Sequence, residues 1–333
     1  MHPILMRILT FGLTSVAIYF GIAATLIVVG KPRKPHDPEK GLSFDELFFD
    51  TSSLPELETF EARDGATLAY RHYPADADTV LILLHGSGWH SSYLLPLAEF
   101  VSGENLTHVY TPDLRGHGLN PARRGDIDYV AQLEDDIADL IALIKQQHPD
   151  APMIVGGHSS GGGLALRFAG SEYGQQAAAY LLLAPYLQYN APTARPNSGG
   201  WARPYTPRIA GLTMLNNVGI RWFNHLTAID FNMPEKARNG TETLAYSFRL
   251  NTGFAPRNYK KDLRAITQPL LVVAGTADEA FYAEKYEFVI TQYTEAQVTL
   301  LDGATHMGAV VDPRVRPVIR TWLEKMDEEL VKE

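Results

Sequence analysis

Two serines stand side by side in the stretch IVGGHSSGGGLALRFAG, between an apolar run and a second apolar segment. Only one of them fits the centre of a G-x-S-x-G pattern. Gly157-His158-Ser159-Ser160-Gly161 puts Ser159 there, whereas centring on Ser160 would require glycine at 158, where histidine stands. Small residues two before and two after the serine are what a sharp strand-to-helix turn demands, because side chains there would collide with neighbouring backbone. Such a turn presents the seryl Oγ at the end of a sheet, beside a helix N-terminus whose free N–H groups favour developing negative charge. Ser160 then contributes its backbone N–H and not its hydroxyl.

A serine hydroxyl is a weak nucleophile until a base within hydrogen-bond reach takes its proton. On an open α/β sheet the partners are expected in the order serine, acid, histidine, each in a loop after a strand. Asp278 follows the apolar run PLLVVAG in TADEAF, and His306 follows AQVTLLDG in ATHMG. Glu279 and Asp302 are rival acids; Asp302 lies four residues before His306, at the end of its own strand, and suits a turn-shaping role. Among the other histidines only His225 falls between Ser159 and His306, in an amphipathic stretch that suits the surface or a pocket wall. The expected base is therefore His306 and the expected acid Asp278. In LILLHGSGWH a strand ends at His85-Gly86-Ser87-Gly88, where the glycines free the backbone to turn its N–H groups toward a substrate oxygen. The Ser87 and Ser160 N–H groups are the expected oxyanion hole, and losing one such donor in a comparable enzyme costs about 2.7–4 kcal/mol. His85, before the glycine turn, reads as structural. Asp113, Arg115 and His117 in PDLRGHGLN read as residues that hold a loop, and His90 has no assigned role. No H-x-x-H pair or acidic cluster has metal-ligand spacing, so neither metal nor cofactor is expected.

These loops need a frame, and the chain supplies one. LETFEARDGATLAYRHYP places two β-leaning runs about an Asp64-Gly65 turn, the pattern of a hairpin. Strand-like runs then follow: TVLILLHG, THVYTPD, PMIVGGH, AAYLLLAP, PLLVVAG and AQVTLLDG. Most are continuously apolar, as strands covered on both faces are. Between them, Val130, Leu133, Ile137, Leu140, Ile141 and Ile144 recur at helical spacing. Strand–helix alternation implies an α/β fold with a mostly parallel sheet and right-handed crossovers. Residues 57–185 and 269–333 carry this rhythm. Residues 186–268 break it with a Pro-rich opening and then an aromatic, amphipathic stretch with Ile209, Leu212, Leu215, Trp222, Leu226 and Ile229. That segment reads as a helical cap that packs on the main domain and lines an apolar pocket.

The 333 residues suffice for a substantial core, and a net charge of −9 argues against nucleic acid as a partner. With no cysteine, disulfides, thiolate metal sites and a cysteine nucleophile are excluded. Ile8–Gly30 carries no charged residue and, at about 1.5 Å per helical residue, spans roughly 34 Å, enough for a bilayer core. Its length and its end, VVGKPRKP, fit an uncleaved single-pass anchor over residues 1–30 better than a removed signal peptide. Lys31, Arg33 and Lys34 after the span outnumber Arg7 before it, which points to a cytoplasmic catalytic domain. Residues 31–56 read as a linker.

Taken together, HGSG, PDLRGHG, GHSSGG, AGTADE and DGATHMG, in that order, resemble the α/β-hydrolase superfamily. The branch is that of lysophospholipases and monoacylglycerol lipases, grouped with serine aminopeptidase S33-like hydrolases, and the likeness runs from about Leu57 to Leu330. It implies an α/β-hydrolase fold, Ser159 as nucleophile, Asp278 as acid, His306 as base, and Ser87 and Ser160 at the oxyanion hole. It also implies a cap inserted between Pro185 and Pro269. The chain departs from the family at Ser160, where methionine is frequent; only the backbone is needed there, so pocket shape and not catalysis is affected. The expected activity is a membrane-anchored serine esterase or lipase acting on a lipid-like ester, of lysophospholipid or monoacylglycerol type. A peptidase of the same fold, with Asp230, Glu235 and Glu242 as cap carboxylates, and a catalytically silent scaffold are the alternatives.

Overall fold

A computed structural model of the chain describes residues 3–31, 41–119 and 121–330. The apolar N-terminal run forms α1 (Pro3–Val29). The Asp64-Gly65 turn then folds β1 (Glu58–Glu61) back on β2 (Thr67–Tyr73), with Phe60 opposite Leu68. Next come β3 (Val80–Leu84), α2 (Leu95–Gly103), β4 (His108–Asp113), α3 (Gln132–Gln147), β5 (Met153–His158), α4 (Ser160–Ala169) and β6 (Ala179–Leu183). The inserted segment holds β7 (Ala202–Pro204), α5 (Thr206–Asn217), β8 (Thr227–Phe231), β9 (Ala245–Ser247) and α6 (Phe248–Gly253). The chain returns through α7 (Tyr259–Ala265), β10 (Leu270–Gly275), α8 (Tyr286–Ile290), β11 (Gln297–Leu301), α9 (Gly308–Val311) and α10 (Val315–Leu330).

The main sheet has the order β1-β2-β4-β3-β5-β6-β10-β11. β2 is antiparallel to both of its neighbours, and every other pairing in this sheet is parallel. This is the α/β-hydrolase fold. β3, β5, β6 and β10 are buried along their whole lengths, which explains their unbroken apolar runs; β11, at the edge, buries only Leu301. β3 lies between β4 and β5, so the strand order reverses there and the loops after β3 and β5 diverge into a crevice. Those two loops carry HGSG and GHSSG.

Three expectations are corrected. The cap is not purely helical. Ile209, Leu212 and Leu215 lie on α5, which stops at Asn217, whereas Ile229 sits on β8, the centre of a second, antiparallel sheet of order β7-β8-β9. The backbone of Thr227–Phe231 pairs with β7 on one side and β9 on the other, so the strand wins over the helical spacing. The cap also ends before residue 268. Within α7, Leu263 is fully buried in the main core, and Asp262 packs so closely on Gly170, just past α4, that a Cβ there would meet its side chain. Finally, the stretch read as linker over 31–56 is part of the core from Leu42 onward, since Leu42, Phe44 and Leu47 are buried in it; Arg33 and Lys34 lie outside the described residues.

α1 does not stand apart from the folded domain. Its last turns run along α5: the Tyr19 hydroxyl donates to the Met214 carbonyl at 2.7 Å, and Arg208 Nε donates to the Ile27 carbonyl at 3.2 Å. The two backbones come so near that a Cβ on Gly211 would lie 2.6 Å from the Ala23 carbonyl oxygen.

Candidate active site

Ser159 sits between the end of β5 and the start of α4 with φ 55° and ψ −119°, a conformation that costs a non-glycine residue about 1–3 kcal/mol. Packing imposes it. The Ser159 N–H donates to the Leu183 carbonyl at 2.9 Å, tying the turn to β6. A Cβ on Gly161 would run into the Leu84 carbonyl, and one on Gly157 into the Gly161 backbone. The two glycines of the pattern thus let α4 start directly over the strand ends.

His306 follows β11, and its Nδ1–H donates to Asp278 Oδ2 at 2.8 Å, with both side chains buried. Asp278 Oδ1 accepts the N–H groups of Ala280 at 2.7 Å and Phe281 at 2.9 Å, so the carboxylate is fixed in the loop after β10. The rival acids have other partners. Glu279 Oε2 accepts the His306 backbone N–H at 2.9 Å and its Oε1 accepts the Ser43 N–H at 3.0 Å, while Asp302 accepts the Thr276 hydroxyl. His225 is exposed and bonds the Trp222 carbonyl. Ser159 and His306 line one small cavity together with Gly86, Ser87, Leu42 and Phe44. The stretch read as linker thus forms a wall of this cavity, and Glu46 holds the His306 loop by accepting the Thr305 hydroxyl at 3.0 Å.

Ser87 and Ser160 meet Ser159 at the floor of a larger cavity of about 910 Å³. The amides flanking Ser87 are both taken by tyrosine hydroxyls. Gly86 N–H donates to Tyr93 at 2.6 Å, and Gly88 N–H to Tyr246 at 2.9 Å. Each hydroxyl is in turn bonded to a buried histidine: Tyr93 to His158 Nδ1 at 2.9 Å, Tyr246 to His117 Nε2 at 2.6 Å. His158 Nε2 meets the His306 carbonyl at 3.1 Å; a carbonyl only accepts, so Nε2 carries the proton and Nδ1 takes the one from Tyr93. Burial, and the neighbouring His306, push His158 well below the ordinary histidine pKa, and burial does the same to His117. Both rings are neutral, and each forms one fixed tautomer.

Sequence reasoning missed Tyr93, Tyr246 and His158, and weighed Glu279 only as a rival acid. His158 was in view only as the variable position of the pattern, and Tyr246 lies far along the chain in the cap, where no spacing signals it. The other readings have clear counterparts. His85 accepts the Leu114 N–H at 3.1 Å and bonds the Gly86 carbonyl at 2.8 Å, and burial lowers its pKa to about 4. Asp113 accepts the Ser91 N–H and hydroxyl, Arg115 pairs with Asp136 and Asp64, and His117 bonds the Arg115 carbonyl, so all three hold loops. His90 is buried and meets the Thr241 hydroxyl at 2.9 Å.

The large cavity lies between main domain and cap. Its walls include Tyr186, Trp201, Phe231, Phe254 and Phe281, with Ile209 of α5 on the cap side. Arg195, Asn197 and Ser198 add a polar patch. The cap is bound to the loop of Ser87 directly, since Trp201 Nε1–H donates to Ser87 Oγ at 3.1 Å and Thr243 N–H to the Gly88 carbonyl at 2.9 Å.

Residues 75–310 match the family described as serine aminopeptidase, S33. A monoacylglycerol lipase of Mycolicibacterium smegmatis is 29% identical over 236 residues, which cover 68% of this chain and 80% of that protein. Human monoglyceride lipase is 24% identical over 262 residues, covering 73% and 81%. Among solved structures, a soluble variant of monoglyceride lipase from Saccharomyces cerevisiae, in complex with a substrate analog, shares the fold with a TM-score of 0.62 at 18% identity. That likeness covers 89% of this chain and 99% of the yeast one.

Proposed function

The chain belongs to the serine aminopeptidase S33 family of α/β-hydrolases and is a carboxylic ester hydrolase, and from that premise we propose that it cleaves lysophospholipid or monoacylglycerol esters through an acyl-enzyme on Ser159. The observation that carries the reading is the Asp278–His306 pair beside a strained Ser159 at the floor of an apolar cavity. His306 Nε2 takes the Ser159 proton as Oγ attacks the ester carbonyl carbon, and Asp278 holds the Nδ1–H tautomer and stabilises the imidazolium. The Ser87 and Ser160 N–H groups receive the oxyanion, Ser160 with the help of the α4 N-terminus. Collapse breaks the bond to the alcohol, which leaves with the proton from His306. Water then attacks the acyl-enzyme by the same steps in reverse.

The apolar walls suit an acyl chain, and the polar patch at Arg195, Asn197 and Ser198 suits a glycerol or phosphate-bearing head. Each methylene buried is worth about 0.8 kcal/mol, so kcat/KM on a p-nitrophenyl ester series should rise about fourfold per methylene until the cavity is full. A flat series would reject the lipid-like substrate. The peptidase alternative draws little support, because Asp230 pairs with Arg203, Glu242 caps the Asn239 and Gly240 amides, and neither these nor Glu235 line the cavity. Faster turnover of aminoacyl anilides than of acyl esters would restore it. A fluorophosphonate probe should label the wild type and not Ser159→Ala; equal labelling of both, or of neither, removes the acyl-enzyme.

We also propose that α1 anchors the chain in a membrane as an uncleaved span with the catalytic domain in the cytoplasm. Among the described residues, one helix, Met6–Val29, is long and apolar enough to cross. Digestion of the catalytic domain from the outside of right-side-out vesicles would overturn the orientation.

A further inference from the structure

We propose that His72, His108 and His148 form a binding site for one divalent transition-metal ion of the zinc type, at the end of the sheet opposite the catalytic loops. The three residues lie 36 and 40 positions apart, so no spacing motif reveals them. Folding gathers one ring nitrogen from each into a group whose members all lie within 4.8 Å of one another. His72 Nε2 and His108 Nδ1 are 3.4 Å apart. Two nitrogens bound tetrahedrally to zinc at about 2.0–2.1 Å are separated by about 3.3–3.4 Å, so this pair already has the spacing of two ligands.

The rings are oriented by their surroundings. His72 on β2 stands opposite Tyr110 on β4, and its ring stacks on the tyrosine with centroids 4.2 Å apart and planes 13° apart. His108 opens β4, and its ring lies 4.3 Å from that of His148, the residue that follows α3. The Tyr110 hydroxyl lies 3.3 Å from His148 Nε2 and donates to Gln147 at 3.1 Å, placing a polar group beside the third ligand. All three side chains are half-buried, open enough for an ion to enter.

The chemistry of the donors selects the ion. Three imidazoles without a thiolate or carboxylate suit Zn²⁺, Co²⁺, Ni²⁺ or Cu²⁺ and not the oxygen-seeking Ca²⁺ or Mg²⁺. The Ala75 N–H, which donates to His108 Nδ1 at 3.2 Å, sits on a half-exposed turn and passes to water when the metal takes that lone pair. With three protein ligands, the fourth place is left to water. The ion would staple β2, β4 and α3 at the N-terminal ends of the parallel strands, whereas Ser159, Asp278 and His306 follow C-terminal ends. It therefore acts on stability and not on ester turnover.

The test uses the tag-free full-length chain in detergent, stripped with chelator and titrated with Co²⁺ and then Zn²⁺. The expected result is a visible cobalt absorption that saturates at one equivalent, is displaced by zinc, and accompanies a rise in Tm of several degrees. His72→Gln and His108→Gln should lose both effects while p-nitrophenyl ester turnover stays at the wild-type rate. If either variant melts lower without metal, His148→Gln, at a half-exposed helix end, carries the same test. No saturable binding tighter than about 100 µM, or binding that persists in all three variants, would overturn the site.

Discussion

At the scale of single residues, the site depends on side chains beyond Ser159, Asp278 and His306. The Tyr93 and Tyr246 hydroxyls take the amides on both sides of Ser87, which leaves the Ser87 N–H between two pinned neighbours. Tyr246→Phe would leave the buried Gly88 N–H without its acceptor, at a cost of about 1–3 kcal/mol, and would free the oxyanion turn. Its kcat should fall while KM changes little, as steady-state kinetics with one acyl ester would show; a loss confined to KM would mean that Tyr246 shapes the pocket instead. His158 joins the same turn to the base loop through Tyr93 on one side and the His306 carbonyl on the other. Displacing a reacting group by about 1 Å costs about a hundredfold, so His158→Leu should lower kcat by about ten- to a hundredfold without abolishing fluorophosphonate labelling. Glu279 shows how residue type alone misleads. It neighbours Asp278, which bonds the His306 ring, yet it accepts backbone N–H groups of Ser43 and His306. The sequence contains both carboxylates, and only the direction of each side chain separates their work.

Among the elements, α1 and α5 form the least expected pair. α5 contributes Ile209 to the cavity wall and packs its Gly211 against Ala23 of α1. Gly211→Val would force the helices apart, an overpacking that typically costs about 1–3 kcal/mol. A lower Tm for the detergent-solubilised chain and faster proteolysis between α5 and β8 are expected, with unchanged melting as the contrary result. Apolar spacing located α1 and the start of α5, and continuous apolar runs located the buried strands. The same spacing carried the helix too far in the cap, because Leu226 and Ile229 fit a helical face as well as they fit a turn and a strand. Pairing of β8 with β7 and β9 decided between the two, and such long-range hydrogen bonds leave no mark in a local window.

For the whole molecule, buried neutral histidines set an acid limit. Burial lowers the pKa of His85 to about 4, while the unfolded side chain titrates near the ordinary histidine value of 6.5. Between those values the unfolded state binds more protons than the folded one, so this contribution is complete above about pH 6.5 and is lost as pH falls toward 4. One such residue is worth about 3 kcal/mol across that window, and His117 and His158 act in the same direction. Urea unfolding at successive pH values should show the decline, and His85→Gln should flatten part of it. On the proposed anchoring, the way the chain meets a membrane is also set globally. The part of α1 from Pro3 to Ile18, before the contacts with α5, spans roughly 24 Å, less than the roughly 30 Å of a bilayer core. An anchored chain would therefore draw α5 and the exposed Trp222 and Phe223 to the lipid surface. Blue-shifted tryptophan emission on binding vesicles, lost in Trp222→Ala, is the expected sign. By itself, the amino-acid sequence determined the α/β alternation, the sharp turn at Ser159 and the loops that carry Asp278 and His306, because each follows from local sterics and burial periodicity. Tertiary structure alone decided that Glu279 turns to the backbone N–H groups of Ser43 and His306. It also decided that the tyrosines pin the amides on both sides of Ser87, that Leu42 and Phe44 wall the small cavity at Ser159, and that three distant histidines gather at one end of the sheet. Each of these depends on distances between residues far apart in the chain, which are fixed only when the sheet and its helices pack.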